Sequence, residues 1–180
     1  MSFISSSSPR FLSVVQGEFS ISKEPDVILS TVLGSCVAVC LFDKGRSVGG
    51  MNHYLLPTGD SAGSGNVKYG VNAMELLINE ILKIGGRRDK LEAKVFGGAS
   101  MFESKTDIGA SNVAFGKEFL SAEGIPIVSE STGGKLARRI HFIPFTGAAR
   151  QMIVPAQEAP PARPAISPRP KRAAGGIDLF

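Results

Sequence analysis

The chain has 180 residues, of which 43% are hydrophobic and 20% are charged, values typical of a single globular domain. Its net charge of +4 does not indicate nucleic-acid binding, because residues 148–180 hold five basic and two acidic side chains and leave residues 1–147 nearly neutral. No apolar run approaches the roughly 18 residues of a membrane-spanning helix. With two cysteines and no disulfide framework, we expect a cytoplasmic protein without membrane insertion.

Short apolar segments separated by turn residues predict a series of β-strands after a disordered lead-in at residues 1–10. The segment 36–42 is apolar on both faces, as a buried strand would be, although a run of this length does not distinguish a strand from a short helix. A turn at 43–46 joins this segment to the next one in a hairpin. The predicted strands are 11–15, 19–21, 27–33, 36–42, 48–56, 91–96, 125–129 and 137–145.

Two segments have the periodicity of amphipathic helices. In the segment 68–84, apolar residues recur at three- and four-residue spacing and Gly85-Gly86 ends the pattern. A second helix is predicted at 112–123. The fold class is therefore α/β: a single layered domain at residues 11–147, with a mostly antiparallel or mixed β-sheet and at least two packed helices.

The C-terminal part differs in composition from the rest of the chain. Residues 148–180 contain six prolines and many alanines, which are unsuited to a packed core. We therefore predict a flexible, basic Pro/Ala-rich tail over this range.

The first candidate for chemistry is Cys36, which follows the turn pair Gly34-Ser35. His53 lies seventeen positions later on the next apolar segment. One interpretation makes Cys36 a buried structural thiol, since cysteine is among the most buried residue types. The other makes it a nucleophile with His53 as its base, because mirror pairing about the turn at 43–46 places the two side chains roughly opposite one another.

Such a pair attacks a carbonyl or carboxamide carbon once the histidine has taken the thiol proton. The backbone N–H groups of Ser35 and Cys36 are candidates for holding the resulting oxyanion. A hydroxyl on the preceding strand, from Ser30 or Thr31, is the candidate that orients the imidazole. Adjacent strand residues face opposite sides, so at most one of these two hydroxyls can serve.

Four sequence motifs together resemble the CheD family of chemoreceptor glutamine deamidases, over about residues 14–147. The resemblance implies that Cys36 is the nucleophile and His53 the general base. The family's third catalytic residue, a threonine six positions before the cysteine, corresponds to Ser30, with Thr31 as the alternative. The motifs are Leu-Gly-Ser-Cys-Val-Ala-Val-Cys (33–40), Gly-Gly-Met-Asn-His-Tyr-Leu-Leu-Pro (49–57), Phe-Gly-Gly-Ala-Ser-Met-Phe (96–102) and Ile-Gly-Ala-Ser-Asn (108–112).

The resemblance also implies an activity and partners. It predicts hydrolysis of glutamine side chains on methyl-accepting chemotaxis receptors to glutamate, with release of ammonia through a thioester intermediate. A CheC-type phosphatase is a further candidate partner. The alternative is an adaptor module that binds a receptor or a phosphatase with little catalytic activity.

The other candidate sites are weaker. Gly97-Gly98 lacks the remainder of a phosphate-binding loop, and we interpret it as a tight loop beside the active site that contacts substrate. Cys36, Cys40, His53 and His141 do not form a zinc pattern, because Cys-x3-Cys on a strand lacks the turn between ligands. We therefore expect no metal and no cofactor.

Overall fold

The described part of the chain forms two β-sheets and a layer of helices. The computed structural model describes residues 8–56, 64–100, 107–155 and 169–171. The strands are β1 (Arg10–Ser13), β2 (Glu18–Ser22), β3 (Val27–Leu33), β4 (Val37–Asp43), β5 (Val48–Asn52), β6 (Glu92–Gly97), β7 (Ile127–Thr132), β8 (Arg138–Ile143), β9 (Ala148–Ile153) and β10 (Arg169–Lys171). The helices are α1 (Ser64–Lys83) and α2 (Ile108–Ala122), and Arg88–Lys90 forms a short 3-10 helix.

Both sheets mix parallel and antiparallel pairs. The four-stranded sheet has the order β1-β3-β8-β9, in which β1 runs parallel to β3 and the other neighbours are antiparallel. The six-stranded sheet has the order β10-β2-β5-β4-β6-β7, with parallel pairs at its two ends. The predicted α/β class with a mixed sheet and two packed helices is confirmed, although the strands divide between two sheets.

Strand β4 is buried on both faces because it lies between the helices and the second sheet. Val37, Val39 and Leu41 pack in one core with α1, α2 and their neighbouring strands. The alternating residues, among them Ala38 and Cys40, pack in a second core against β3 and β8 of the four-stranded sheet. The two-sided apolar pattern of 36–42 thus comes from a central strand, and the helical alternative for this segment is wrong.

The helices differ from their predicted ranges mainly at their first residues. Helix α2 begins at Ile108, four residues before its predicted start. Asp107 is its N-cap, and its side chain accepts a hydrogen bond from the Ala110 N–H at 2.9 Å. The capping carboxylate stabilises the first turn of the helix, although that turn contains a glycine and has a weak apolar pattern. Helix α1 likewise begins earlier than predicted, at Ser64.

Neither helix is long and apolar enough, within the described ranges, to cross a membrane.

The predicted domain boundaries need correction at both ends. Residues 148–153, which composition places in the tail, form β9 and pair with β8 through six residue pairs. The chain reverses at Gly147, whose φ of +74° suits glycine, so that an Ala- and Arg-containing segment completes the sheet. Arg10, assigned to the lead-in, begins β1 and forms an ion pair with Asp26 at 2.6 Å. Apart from β10, the predicted tail beyond residue 155 lies outside the described residues, as do residues 1–7 of the lead-in.

Candidate active site

The turn that carries Cys36 is held by two other parts of the fold. The Cys36 carbonyl accepts from the Gly98 N–H at 2.8 Å, and the Ser35 carbonyl accepts from Asn112 Nδ2 at 3.0 Å. Asn112 is fully buried on α2, and its Oδ1 also accepts from the Leu56 N–H at 2.9 Å. This one side chain therefore joins the cysteine turn to the segment that follows His53.

Gly97 and Gly98 lie directly behind the cysteine turn. Gly97 has a φ of +109°, and a Cβ on it would lie 2.2 Å from the Cys36 carbonyl oxygen. A Cβ on Gly98 would meet Val113 at 2.3 Å. Glycine is required here because the backbones approach closely, so this pair supports the turn from behind. Its contact with substrate stays a prediction.

His53 is buried at the end of β5, with its ring held at one nitrogen. Its Nδ1 lies 2.9 Å from Thr31 Oγ1 and 3.3 Å from the Val14 carbonyl oxygen. The Thr31 hydroxyl also lies 2.7 Å from that carbonyl. The histidine backbone is fixed as well, since its N–H donates to Glu18 at 3.0 Å and its carbonyl accepts from Gly17 at 2.7 Å.

These contacts determine which ring nitrogen carries the proton. A carbonyl oxygen has no proton to give, so Val14 accepts the hydroxyl proton of Thr31. The Thr31 oxygen then accepts from His53, which places the imidazole proton on Nδ1. The lone pair is left on Nε2, which is buried and has no hydrogen-bond partner within the described part of the chain. An unpaired buried nitrogen with a free lone pair is suited to accept a proton.

The hydroxyl beside His53 comes from Thr31 and not from Ser30. Ser30 pairs with His141 on β8, and the pleat of β3 turns its side chain to the opposite face from Thr31. The family spacing counted from Cys36 identifies Ser30, and for the hydrogen bond to the imidazole that identification is wrong. Spacing along the sequence does not include the pleat of the strand, which decides the partner.

Cys36 and His53 lie on the same face of the six-stranded sheet but are not directly opposite. Val37 and Tyr54 form the actual pair, with N–H to carbonyl distances of 3.0 and 2.9 Å in the two directions. The hairpin closes at the pair Asp43 and Val48, which shifts the register by two residues from the predicted mirror pairing. Cys36 and His53 are therefore diagonal neighbours, a relation in which Cα atoms are typically about 7–8 Å apart and long side chains reach one another.

Burial keeps both members of the pair neutral in the resting protein. Burial raises the pKa of the Cys36 thiol to about 11, and this effect exceeds the lowering of the pKa by the backbone N–H of Cys36. Burial lowers the pKa of His53 to about 4, and this effect exceeds the rise in pKa caused by the hydrogen bond with the Val14 carbonyl. At neutral pH the site therefore holds a thiol and an imidazole, not a thiolate–imidazolium pair.

Gln16 contacts the thiol and Tyr69 lies near it, and sequence reasoning identified neither. Cys36 Sγ donates a hydrogen bond to Gln16 Oε1 at 3.5 Å, from the connection between β1 and β2. Tyr69, half-buried on α1, has its pKa raised by burial and by the nearby Cys36. Gln16 carries no motif and is separated from Cys36 by twenty positions. Asn112 is the last residue of the motif Ile-Gly-Ala-Ser-Asn, and this motif is the sequence signal that could have identified it as a site residue.

The remaining predicted candidates lie elsewhere. Cys40 is fully buried in the core between the sheets, where burial raises the pKa of its thiol. His141 lies on β8 against the ring of Phe11, with centroids 5.1 Å apart, and does not join the Cys36 site. Among the described residues, no three His, Cys, Asp or Glu side chains lie close enough together to hold a metal ion.

Comparison with known proteins gives a family match and close relatives. The family described as "CheD chemotactic sensory transduction" matches residues 55–152. A protein of Caulobacter vibrioides named "Probable chemoreceptor glutamine deamidase CheD" is 53% identical over 171 residues, covering 93% of this chain and 91% of that protein. A protein of the same name from Rhizobium meliloti is 49% identical over 179 residues, covering 95% of this chain and 96% of the relative.

Among solved structures, this chain is similar to the hypothetical protein YfiH of Bacillus licheniformis, with a TM-score of 0.46 and 13% sequence identity. The match covers 65% of this chain and 51% of that one, so the chain spans about half the length of YfiH.

Proposed function

The chain belongs to the CheD family, and from this membership we propose that it hydrolyses glutamine side chains on methyl-accepting chemotaxis receptors to glutamate, with release of ammonia. The reaction would take place on the cytoplasmic helices of those receptors. Glutamine deamidation is the activity in the relatives' names, and for this chain we assign it to Cys36 and His53.

One observation supports the assignment of residues. His53 Nδ1 lies 2.9 Å from the Thr31 hydroxyl, its Nε2 is buried without a partner in the described residues, and Cys36 lies on the same face of the sheet. A buried nitrogen left in this state costs free energy, which a purely structural histidine has no reason to accept.

The proposed reaction begins when a receptor glutamine enters the site. Nε2 of His53 takes the thiol proton while Cys36 Sγ forms a bond to the amide carbon, and the carbonyl electron pair moves to the oxygen. The imidazolium then protonates the amide nitrogen, the C–N bond breaks and ammonia leaves. Water deprotonated by His53 attacks the thioester, and glutamate is released with the thiol restored.

Several groups of the site act without touching the amide nitrogen. Thr31 and the Val14 carbonyl keep the proton on Nδ1 throughout, so that Nε2 faces the reacting atoms. The backbone N–H groups of Ser35 and Cys36 would hold the oxyanion. Because the resting pair is neutral, proton transfer and attack are coupled, and the thiol reacts only when a carbonyl is in place.

Mass spectrometry of a receptor cytoplasmic fragment tests the proposal. Each conversion replaces an amide nitrogen by oxygen and adds about one dalton, which peptide mapping locates. We expect the gain with the wild-type chain and its loss in Cys36→Ala and in His53→Ala. Retained turnover by Cys36→Ala would refute the assignment of the nucleophile. Tight receptor binding without any mass change would favour the adaptor.

The CheC-type phosphatase remains a second proposed partner. It derives from the family resemblance, and none of the described contacts bears on it. Co-purification of this chain with such a phosphatase from the same organism, compared with a receptor-only control, tests it directly.

A further inference from the structure

Gln16 is held over the cysteine by the backbone on either side of it. Upstream, the Val14 N–H donates to the Ser30 carbonyl at 2.8 Å, and downstream the Gly17 N–H donates to the His53 carbonyl at 2.7 Å. These anchors belong to β3 and to the end of β5, the elements that carry Thr31 and His53. The half-buried glutamine is therefore fixed relative to the proposed catalytic groups.

The carboxamide of Gln16 can serve both protonation states of the sulfur. In the resting protein, Cys36 Sγ donates to Gln16 Oε1 at 3.5 Å. The opposite end of the same planar group is an NH2 with two donors, and the terminal torsion of glutamine is broad and roughly two-fold. Rotation about that torsion exchanges acceptor for donor at nearly the same place, as required when negative charge develops beside the sulfur.

A backbone donor lies next to the same sulfur. Asn112 Nδ2 binds the Ser35 carbonyl, and in a trans peptide the following N–H points the opposite way from that carbonyl. The Cys36 N–H therefore points away from the Asn112 contact, and its interaction with the Cys36 sulfur lowers the pKa of the thiol. No carbonyl in the described part of the chain accepts from it. Oxyanion sites combine such backbone donors with side-chain donors, among them the amide of glutamine.

We propose that Gln16 is a catalytic residue whose side-chain NH2, together with the Cys36 N–H, binds the oxyanion of the tetrahedral intermediates. This inference rests on the proposed deamidation and adds a residue to it. The oxyanion forms when the S–C bond closes and the carbonyl pair moves to oxygen, and it disappears when C–N breaks. A donor fixed beside the sulfur stabilises this stage more than it stabilises the neutral substrate amide.

The geometry favours a donor over a self-substrate. The thiol of Cys36 faces the oxygen of the Gln16 carboxamide, not its carbon. The backbone bonds of Val14 and Gly17 on either side resist the movement that attack on that carbon would need. Self-deamidation at residue 16 is the competing outcome of the test.

Steady-state kinetics on a receptor cytoplasmic fragment tests the inference. For Gln16→Ala we expect kcat to fall about 10²–10³-fold with KM changed less than about threefold, the pattern of a donor acting in the transition state. Gln16→Glu is nearly isosteric and should lose at least as much, because a carboxylate repels the oxyanion. Gln151→Ala, the same change at an exposed position on β9, is the matched control and should leave kcat unchanged.

Three results separate the possibilities. If Cys36→Ala is inactive and both Gln16 variants keep kcat within about threefold of wild type, the inference is refuted while the proposed function stands. If the wild-type chain turns over no receptor tested, the proposed function itself fails. A gain of about one dalton at residue 16 that requires Cys36 would identify a self-substrate and overturn the donor role. Melting temperatures of the variants show whether a loss of rate reflects unfolding, and Gln16→Glu decides the matter if Gln16→Ala does not fold.

Discussion

Thr31 offers the sharpest test of how the imidazole is oriented. Thr31→Val preserves the shape of the side chain and removes the hydroxyl that lies 2.9 Å from His53 Nδ1 and 2.7 Å from the Val14 carbonyl. Two buried hydrogen bonds disappear, each with a net value of about 1 kcal/mol. The Val14 oxygen, 3.3 Å from Nδ1, can still accept the ring proton and limits the loss. We expect a decrease of about 1–3 kcal/mol in the free energy of unfolding.

The same change should lower kcat about 10–10²-fold with little effect on KM, since part of the population takes the wrong tautomer. Receptor-fragment deamidation measures the rate, and urea denaturation measures stability. Thr31→Ser keeps a hydroxyl and should recover most of the activity. Ser30→Ala removes the neighbouring hydroxyl on the opposite face and is the matched control. If Ser30→Ala loses more activity than Thr31→Val, the orientation of His53 by Thr31 is refuted.

Three other predictions follow from the fold and the site. The pKa of His53 is about 4 in the folded protein and has an ordinary value of 6.5, so between these pH values the unfolded chain binds one more proton than the folded chain. The free energy of unfolding should therefore fall by about 3 kcal/mol from pH 7 to pH 4. Urea titrations at several pH values measure this fall, and the His53→Asn variant should lack it. Gly97→Ala should destabilise the protein by more than about 2 kcal/mol and abolish deamidation, because its Cβ would lie 2.2 Å from the Cys36 carbonyl oxygen. The control Gly133→Ala has a positive φ but no atom within 4 Å of its Cβ, and it should lower stability in thermal denaturation by about 1 kcal/mol. Equal losses of stability in the two variants would contradict the close approach at Gly97. Truncation after residue 171 keeps β9 and β10 and should leave the melting temperature and receptor turnover unchanged. Truncation after 147 removes both strands and should lower both values; a fully stable shorter chain would restore the boundary predicted from composition.

The hydrophobic pattern and turn residues of the sequence were sufficient to predict the main strands and helices. The segment 27–33 forms β3 as predicted, and the apolar period of α1 locates its buried face. Cys36 and His53 could be placed on one sheet face because both belong to a hairpin whose turn is visible in the sequence. The register was misjudged by two residues, since the exact closing pair depends on packing that a turn motif does not specify.

The rest of the site depends on contacts between distant parts of the chain. Thr31 and Ser30 are equivalent hydroxyls in the sequence, and the pairing of β3 with β8 decides which one faces His53. Gln16 reaches the thiol from a connection with no motif, and Asn112 from a helix 76 positions after Cys36. Strand β9 has the composition of a surface segment and becomes a strand because β8 offers a free edge.

The burial of the Cys36 thiol also affects its exposure to oxidants. The side chain is 7% exposed, and a thiol with a pKa of about 11 is ionised in about one molecule in 10⁴ at pH 7. Peroxides react with the thiolate, so the resting protein should form sulfenic acid slowly. The proposed nucleophile should therefore remain available through oxidative stress that would inactivate a cysteine kept permanently as a thiolate.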